Sequence, residues 1–189
     1  MKARTAAAGV VLAEAVIIAA VFALNYETTV SLQLVARYSG RLSLLLFLFI
    51  IVLYPGNISA LQNILSRKFL LVFALAHFIH LVELLAYLTV ANLFPVPYRL
   101  AGGFMAYLII FVAPWVQYQV DAQRFSSELF NRFMVVYQIY VWFVFLMTYV
   151  GRVAGGLPDG GSADTLHFLL LGFVTVIMVF KLIQIFRRK

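Results

Sequence analysis

The sequence predicts an all-α integral membrane protein that crosses the bilayer as a bundle of six helices. Of its 189 residues, 65% are hydrophobic and 11% are charged, whereas a soluble domain averages about 45–50% and about 25%. A chain this short cannot bury so much apolar surface in one water-surrounded core. Its apolar residues also fall into six runs, each near the roughly 20 residues that span a bilayer as a helix. The lipid bilayer is therefore expected to be part of its solvent.

The six runs are taken as one transmembrane domain. Their approximate bounds are residues 5–24, 39–54, 69–90, 100–118, 130–150 and 166–186. The first run is longer than a signal-peptide core and has no clear cleavage site, so we expect it to be retained as a helix. Pro55-Gly56 ends the second run, and residues 30–38 either extend that helix or form a separate interfacial piece. Pro114 predicts a kink in the fourth helix, and the glycine-rich residues 155–164 predict a flexible connector.

Lysine and arginine predict the orientation of the bundle. Cytoplasmic loops carry an excess of these residues. With the N-terminus inside, ten of them lie on the cytoplasmic side and four (Arg37, Arg41, Arg99 and Arg152) on the outer side. Both termini are therefore expected in the cytoplasm.

Several classes of function are excluded or disfavoured by composition. The chain has no cysteine, which excludes disulfides, cysteine-ligated metals and thiol catalysis. Its net charge of +7 comes from basic residues scattered at helix ends, so nucleic-acid binding is not expected. No phosphate loop, dinucleotide-binding fingerprint or hydrolytic triad is present.

Ionisable residues inside the predicted helices are the candidates for function, because each costs at least a few kcal/mol at mid-bilayer. They are Glu14, His77, His80, Glu83 and His167. Glu14, next to small residues, is interpreted as a buried, protonated carboxyl bonded to another helix, and His167 as a helix-start histidine at the interface. Because His77, His80 and Glu83 recur every three residues, they share one face of the third helix, which must turn into the bundle. Two interpretations of that face stay open: a metal site, with haem iron foremost, or interhelical hydrogen bonds.

Two segments resemble the ferric reductase-like transmembrane domain, and most closely the haem-binding membrane subunit of the bacterial methionine-sulfoxide reductase system. The first segment is Ser39-Gly40-Arg41-Leu42-Ser43, continuing to Tyr54-Pro55. The second is Ser66-Arg67-Lys68-Phe69 and the apolar run that follows it to His80. The resemblance covers residues 39–90 by motif and the other helices by order and length.

The resemblance implies a six-helix bundle of the bacterial inner membrane that binds haem b and passes electrons across the bilayer. His80 occupies the position of the family's haem ligand on the third helix, and His77 and His167 are the other candidate ligands in this chain. A quinone or a redox partner protein would supply or accept electrons, which makes the chain an oxidoreductase subunit if it is part of an enzyme. The family's fifth helix carries two histidines, but here that stretch reads Leu129 to Tyr137 without any.

Two functions therefore stay open after the sequence analysis. One is haem-dependent electron transfer with partner proteins, in which His80 is the first candidate iron ligand, His77 the second and His167 the third, and in which a five-coordinate haem on His80 or His77 is possible. The other is a non-redox accessory or assembly protein that keeps the bundle and lacks the haem ligands.

Overall fold

The computed structural model describes residues 2–24, 26–93, 97–155 and 164–186, and every regular element in these ranges is an α-helix. In chain order the helices are α1 (Ala3–Phe22), α2 (Thr28–Leu53), α3 (Ile58–Ile64), α4 (Phe69–Val90), α5 (Pro97–Asp121), α6 (Ser127–Val153) and α7 (Thr165–Phe186). Six of them, all except the seven-residue α3, are long and apolar enough to cross a membrane. The predicted set of six apolar helices is confirmed for the described residues.

Large apolar side chains on these helices remain exposed, as expected of surfaces that face lipid tails. Leu12 on α1, Leu169 and Val176 on α7 are each about two-thirds exposed. A soluble protein rarely exposes contiguous apolar surface on this scale. The helical composition and these exposed faces support a multi-pass membrane protein in contact with the bilayer.

The boundary of the second helix is the main correction to the sequence prediction. This helix begins at Thr28 and not near residue 39, so residues 30–38 extend it. Arg37 therefore lies inside α2 together with Arg41, although both were counted as outer-side charges. Because a helix rises about 1.5 Å per residue, Arg41 sits about 20 Å from the start of α2.

The other boundaries differ from the prediction by a few residues. The short α3, with Asn57 as its N-cap, fills part of the loop that follows Pro55-Gly56. Pro114 lies inside α5, which continues past it to Asp121. Most of the predicted connector, residues 156–163, lies outside the described residues.

The chain divides into two compact units, residues 1–131 and residues 132–189. In the first unit α4 is central, because it packs against α1, α2 and α5. The most extensive of these contacts is with the antiparallel α2. The step along α2 from Gln33 to Ser43 is matched by an equal step back along α4, from Tyr87 to His77. The two helices therefore keep one register over this length.

A polar seam between helices α2 and α4

Polar side chains line one half of the α2–α4 contact, and we call this set the polar seam. It consists of Gln33, Ser39, Gly40 and Ser43 on α2, Tyr87, Glu83, His80 and His77 on α4, Glu14 on α1, and Tyr107 on α5. Seven of these positions on α2 and α4 carry hydrogen-bonding groups. Ser39 and Ser43 are four residues apart on α2, and the four residues of α4 follow one another at steps of three or four, so each set shares one helix face.

His77 lies at the end of the seam furthest from Gln33 and Tyr87. Its Nδ1 is hydrogen-bonded to the Ser43 hydroxyl at 2.7 Å. Its ring stacks on Phe73, with centroids 5.5 Å apart, and meets Tyr107 at 4.6 Å. His77 is 7% exposed. One interpretation of the histidine face, an interhelical hydrogen bond, is therefore realised by His77.

His80 lies one turn further along α4 and meets the backbone of α2 at Gly40. A Cβ built on Gly40 would stand 2.9 Å from His80 Cε1 and 3.3 Å from Nε2. Such distances are too short for any side chain, so only glycine lets the imidazole edge reach this close. The His77 and His80 rings are themselves 5.6 Å apart between centroids. Gly40 and His80, which belong to the two segments that carry the family resemblance, are thus neighbours in space.

Glu14 and Glu83 meet beside Ser39. The Ser39 hydroxyl donates to Glu14 Oε1 at 3.0 Å, and Glu83 lies within electrostatic range of both Ser39 and Glu14. Ser39 has one hydroxyl proton, and the hydrogen bond with good geometry is the one to Glu14. Among the described residues, Glu14 Oε2 and both carboxyl oxygens of Glu83 have no hydrogen-bond partner.

The seam begins with polar residues near the start of α2 and stops at apolar residues beyond Ser43 and His77. Gln33 Nε2 donates to the Tyr87 hydroxyl at 3.3 Å near the start of α2. Beyond Ser43, every residue of α2 from Leu44 to Leu53 is apolar, as is every residue of α4 from Phe69 to Ala76. Phe47 and Phe73 pack against each other here, with ring centroids 5.7 Å apart, and both are fully buried.

His167 lies in the second unit, on the first turn of α7. It is 1% exposed, with Nδ1 2.7 Å from Asp164 Oδ1. Arg152 Nη1 donates to its Nε2 at 3.5 Å. Its ring also lies near Tyr149 of α6, with centroids 6.4 Å apart. Both ring nitrogens of His167 therefore have protein partners within this unit, and its place in the first turn agrees with the helix-start interpretation.

The residues of the seam do not fit a haem held by two histidines. The sequence of α6 offers no histidine to face α4. The His77 and His80 rings are in mutual contact, with centroids 5.6 Å apart, so a porphyrin does not lie between them in this arrangement. Phe73 and Tyr107 lie against His77, and Gly40 lies against His80. A group between His80 and α2 would require the imidazole to move, since even a Cβ on Gly40 would stand 2.9 Å from His80 Cε1. Among the described residues, no three or more His, Asp or Glu side chains are grouped as a metal site.

Sequence reasoning missed several residues of the site. Ser39, Gly40 and Ser43 entered only as part of a motif, although polar residues four apart on an apolar helix are a signal for a packed face. Arg41 was counted as an outer-side charge, but its Nε and Nη2 atoms are buried and its guanidinium lies 5.2 Å from the centre of the Tyr38 ring. Lys181, counted as a cytoplasmic charge, is buried inside α7.

Comparisons with protein families, with curated proteins and with solved structures give no match to this chain.

Proposed function

We propose that this protein is a non-redox membrane protein, an accessory or assembly subunit whose bundle is a divergent form of the ferric reductase-like domain. The observation that carries the proposal is that both histidines of α4 contact α2. His77 is hydrogen-bonded to Ser43, and His80 packs on Gly40. In this role the two imidazoles join α4 to α2, because neither lipid tails nor apolar side chains offer hydrogen bonds inside a bilayer.

The proposed setting is the bacterial inner membrane, with both termini in the cytoplasm. The charge count supports this orientation, because ten basic residues lie on the cytoplasmic side of that topology and four on the outer side.

The visible absorption spectrum tests the proposal directly. The full chain is expressed with ample haem supply, purified in mild detergent, and measured oxidised and dithionite-reduced. We expect no Soret band. His80→Ala and His77→Ala are expected to lower stability while leaving that featureless spectrum unchanged. A stoichiometric Soret band in the wild-type protein would refute the non-redox proposal.

A second candidate is electron transfer through a haem b with a single protein ligand. It is favoured by the contact of Gly40 with His80, which brings together the two segments that resemble the haem-binding family. In this hypothesis His80 is the first candidate ligand and His77 the second. His167 is last, because its two ring nitrogens already contact Asp164 and Arg152. A quinone or a redox partner protein would complete the path. A Soret band lost in His80→Ala and kept in His167→Ala would establish this alternative.

A further inference from the structure

We propose that Glu14, Ser39 and Glu83 form a proton-binding site inside the membrane, open to the end of the bundle where α2 begins and α4 ends. The site does not depend on the presence or absence of haem, so it goes beyond the function proposed above.

Three helices bring the site together. Glu14 comes from α1, Ser39 from α2 and Glu83 from α4, and the three helices pack on one another. Glu14 is 2% exposed, Ser39 is fully buried, and Glu83 is 8% exposed. The Glu14–Ser39 hydrogen bond of 3.0 Å fixes one carboxyl. Glu83 on α4 interacts electrostatically with both members of this pair.

The site has more acceptors than donors. Three of its four carboxyl oxygens have no hydrogen-bond partner among the described residues. An ionised carboxyl only accepts hydrogen bonds, whereas a protonated one carries an O–H donor. A bound proton therefore supplies the donor that the site lacks, and it removes a charge that is costly to bury at membrane depth.

Nearby basic groups do not take the place of that proton. The ionisable groups on the surrounding faces are Arg37 and Arg41 on α2 and His80 and Tyr87 on α4, while the basic residues of α1 lie at its N-terminal end. Arg41 lies over the Tyr38 ring. Among the described residues, neither glutamate accepts a hydrogen bond from an arginine, lysine or histidine.

The donor set also argues for a proton over a metal ion. Hard metal ions take about six oxygen ligands, and membrane sodium sites draw carbonyl oxygens from unwound helix segments. Here α1, α2 and α4 are continuous through the site, so their carbonyls are used within the helices. No larger group of His, Asp or Glu side chains gathers there among the described residues.

Toward the start of α2 the site is followed by further polar groups of the seam. Glu83 is one turn from Tyr87, whose hydroxyl accepts from Gln33, and Gln33 is about 9 Å along α2 from Ser39. In the other direction the polar groups stop at Ser43 and His77, and Phe47 and Phe73 follow. Chains of carboxyl, hydroxyl and imidazole groups in membrane helices are typical of proton movement.

Infrared difference spectroscopy on the full chain in lipid nanodiscs tests the proposal. We expect the carbonyl band of a protonated carboxylic acid at neutral pH, shifted in D2O and lost at high pH. Glu83→Gln and Glu14→Gln are each expected to change or abolish this band, and Ser39→Ala to shift its frequency. Glu27→Gln is the matched control, because Glu27 is exposed and precedes α2, and it should leave the band unchanged.

Labelling with dicyclohexylcarbodiimide, which reacts with protonated carboxyls in apolar surroundings, gives an independent readout. Mass spectrometry is expected to find the adduct on Glu83 or Glu14, with labelling lost as the pH rises and unaffected by sodium. If Glu14→Gln fails to fold by circular dichroism, Glu83→Gln and Ser39→Ala carry the test. The proposal is overturned if the wild-type protein shows neither band nor adduct at neutral pH, or if sodium ions suppress both.

Discussion

The close approach of Gly40 to His80 allows steric packing to be separated from helix propensity. In Gly40→Ala the new Cβ would stand 2.9 Å from His80 Cε1 and 3.3 Å from Nε2. Either the imidazole turns away or α2 and α4 move apart. Both responses lower the free energy of unfolding, and the magnitude follows from two opposing contributions.

Replacing a helical glycine by alanine favours folding by about 1 kcal/mol. Overpacking a well-filled contact costs about 1–3 kcal/mol. In the wild-type background the free energy of unfolding should therefore fall by about 0–2 kcal/mol. In a His80→Ala background the imidazole is absent, so Gly40→Ala should raise the free energy of unfolding by about 1 kcal/mol. The interaction energy between the two positions is then about 1–3 kcal/mol.

The assay is unfolding by SDS in mixed micelles, followed by circular dichroism, for the wild type, both single variants and the double variant. Gly9→Ala on α1 is the matched control, because nothing lies within 4 Å of the Cβ that it adds. It reports helix propensity alone. If Gly40→Ala has the same effect with and without the imidazole, the reasoning fails, and His80 does not set the spacing of α2 and α4.

Three further predictions follow from other contacts. Ser43→Ala removes the 2.7 Å hydrogen bond to His77 and should lower the free energy of unfolding by about 0.6–1.7 kcal/mol in the same SDS titration. Thr175→Ala is the control, because the Thr175 hydroxyl bonds the Leu171 carbonyl of its own helix, and it should lower this free energy by less. Equal losses would contradict a stabilising hydrogen bond between α2 and α4. Asp164→Ala removes the carboxylate that accepts from the His167 backbone N–H at 2.9 Å. Thermal unfolding should therefore show a loss of about 1 kcal/mol in the free energy of unfolding, and an unchanged midpoint would show that Asp164 does not cap α7. Because the chain has no cysteine, a membrane-impermeant maleimide should label Gly155→Cys in intact cells and Asn57→Cys only after lysis; the reverse pattern would invert the proposed topology.

The spanning helices were predictable because their signal is an apolar run of membrane length, which needs no knowledge of neighbours. The start of α2 was not, since the residues ahead of the predicted run include Gln33 and Arg37. Hydropathy counts these residues against a membrane helix. Ser39 is fully buried and donates to Glu14 of α1, and Arg41 lies over the Tyr38 ring of its own helix. Contacts with α1 and within α2 therefore compensate for their polarity.

The candidate site was predictable on α4 and in part on α1, where Glu14 was expected to be buried and bonded to another helix, as its hydrogen bond with Ser39 shows. Regular spacing placed His77, His80 and Glu83 on one face, and the rule that this face turns inward identified it as a contact surface. Which residues it meets depends on the register of α2 against α4, and periodicity within one helix carries no information about register between two helices. The meeting of Glu14 with Ser39 depends in addition on the packing of α1.

The abrupt end of the polar seam at Phe47 and Phe73 has an electrical consequence. A transmembrane voltage falls mainly across the less polarisable part of its path, which in this unit is the apolar stretch from Leu44 to Leu53. One elementary charge crossing the whole potential gains or loses about 2.3 kcal/mol per 100 mV. A proton arriving at Glu83 through the polar half crosses only a small share of that drop, so its occupancy should respond weakly to voltage. A charge forced past the two phenylalanines would experience nearly all of it.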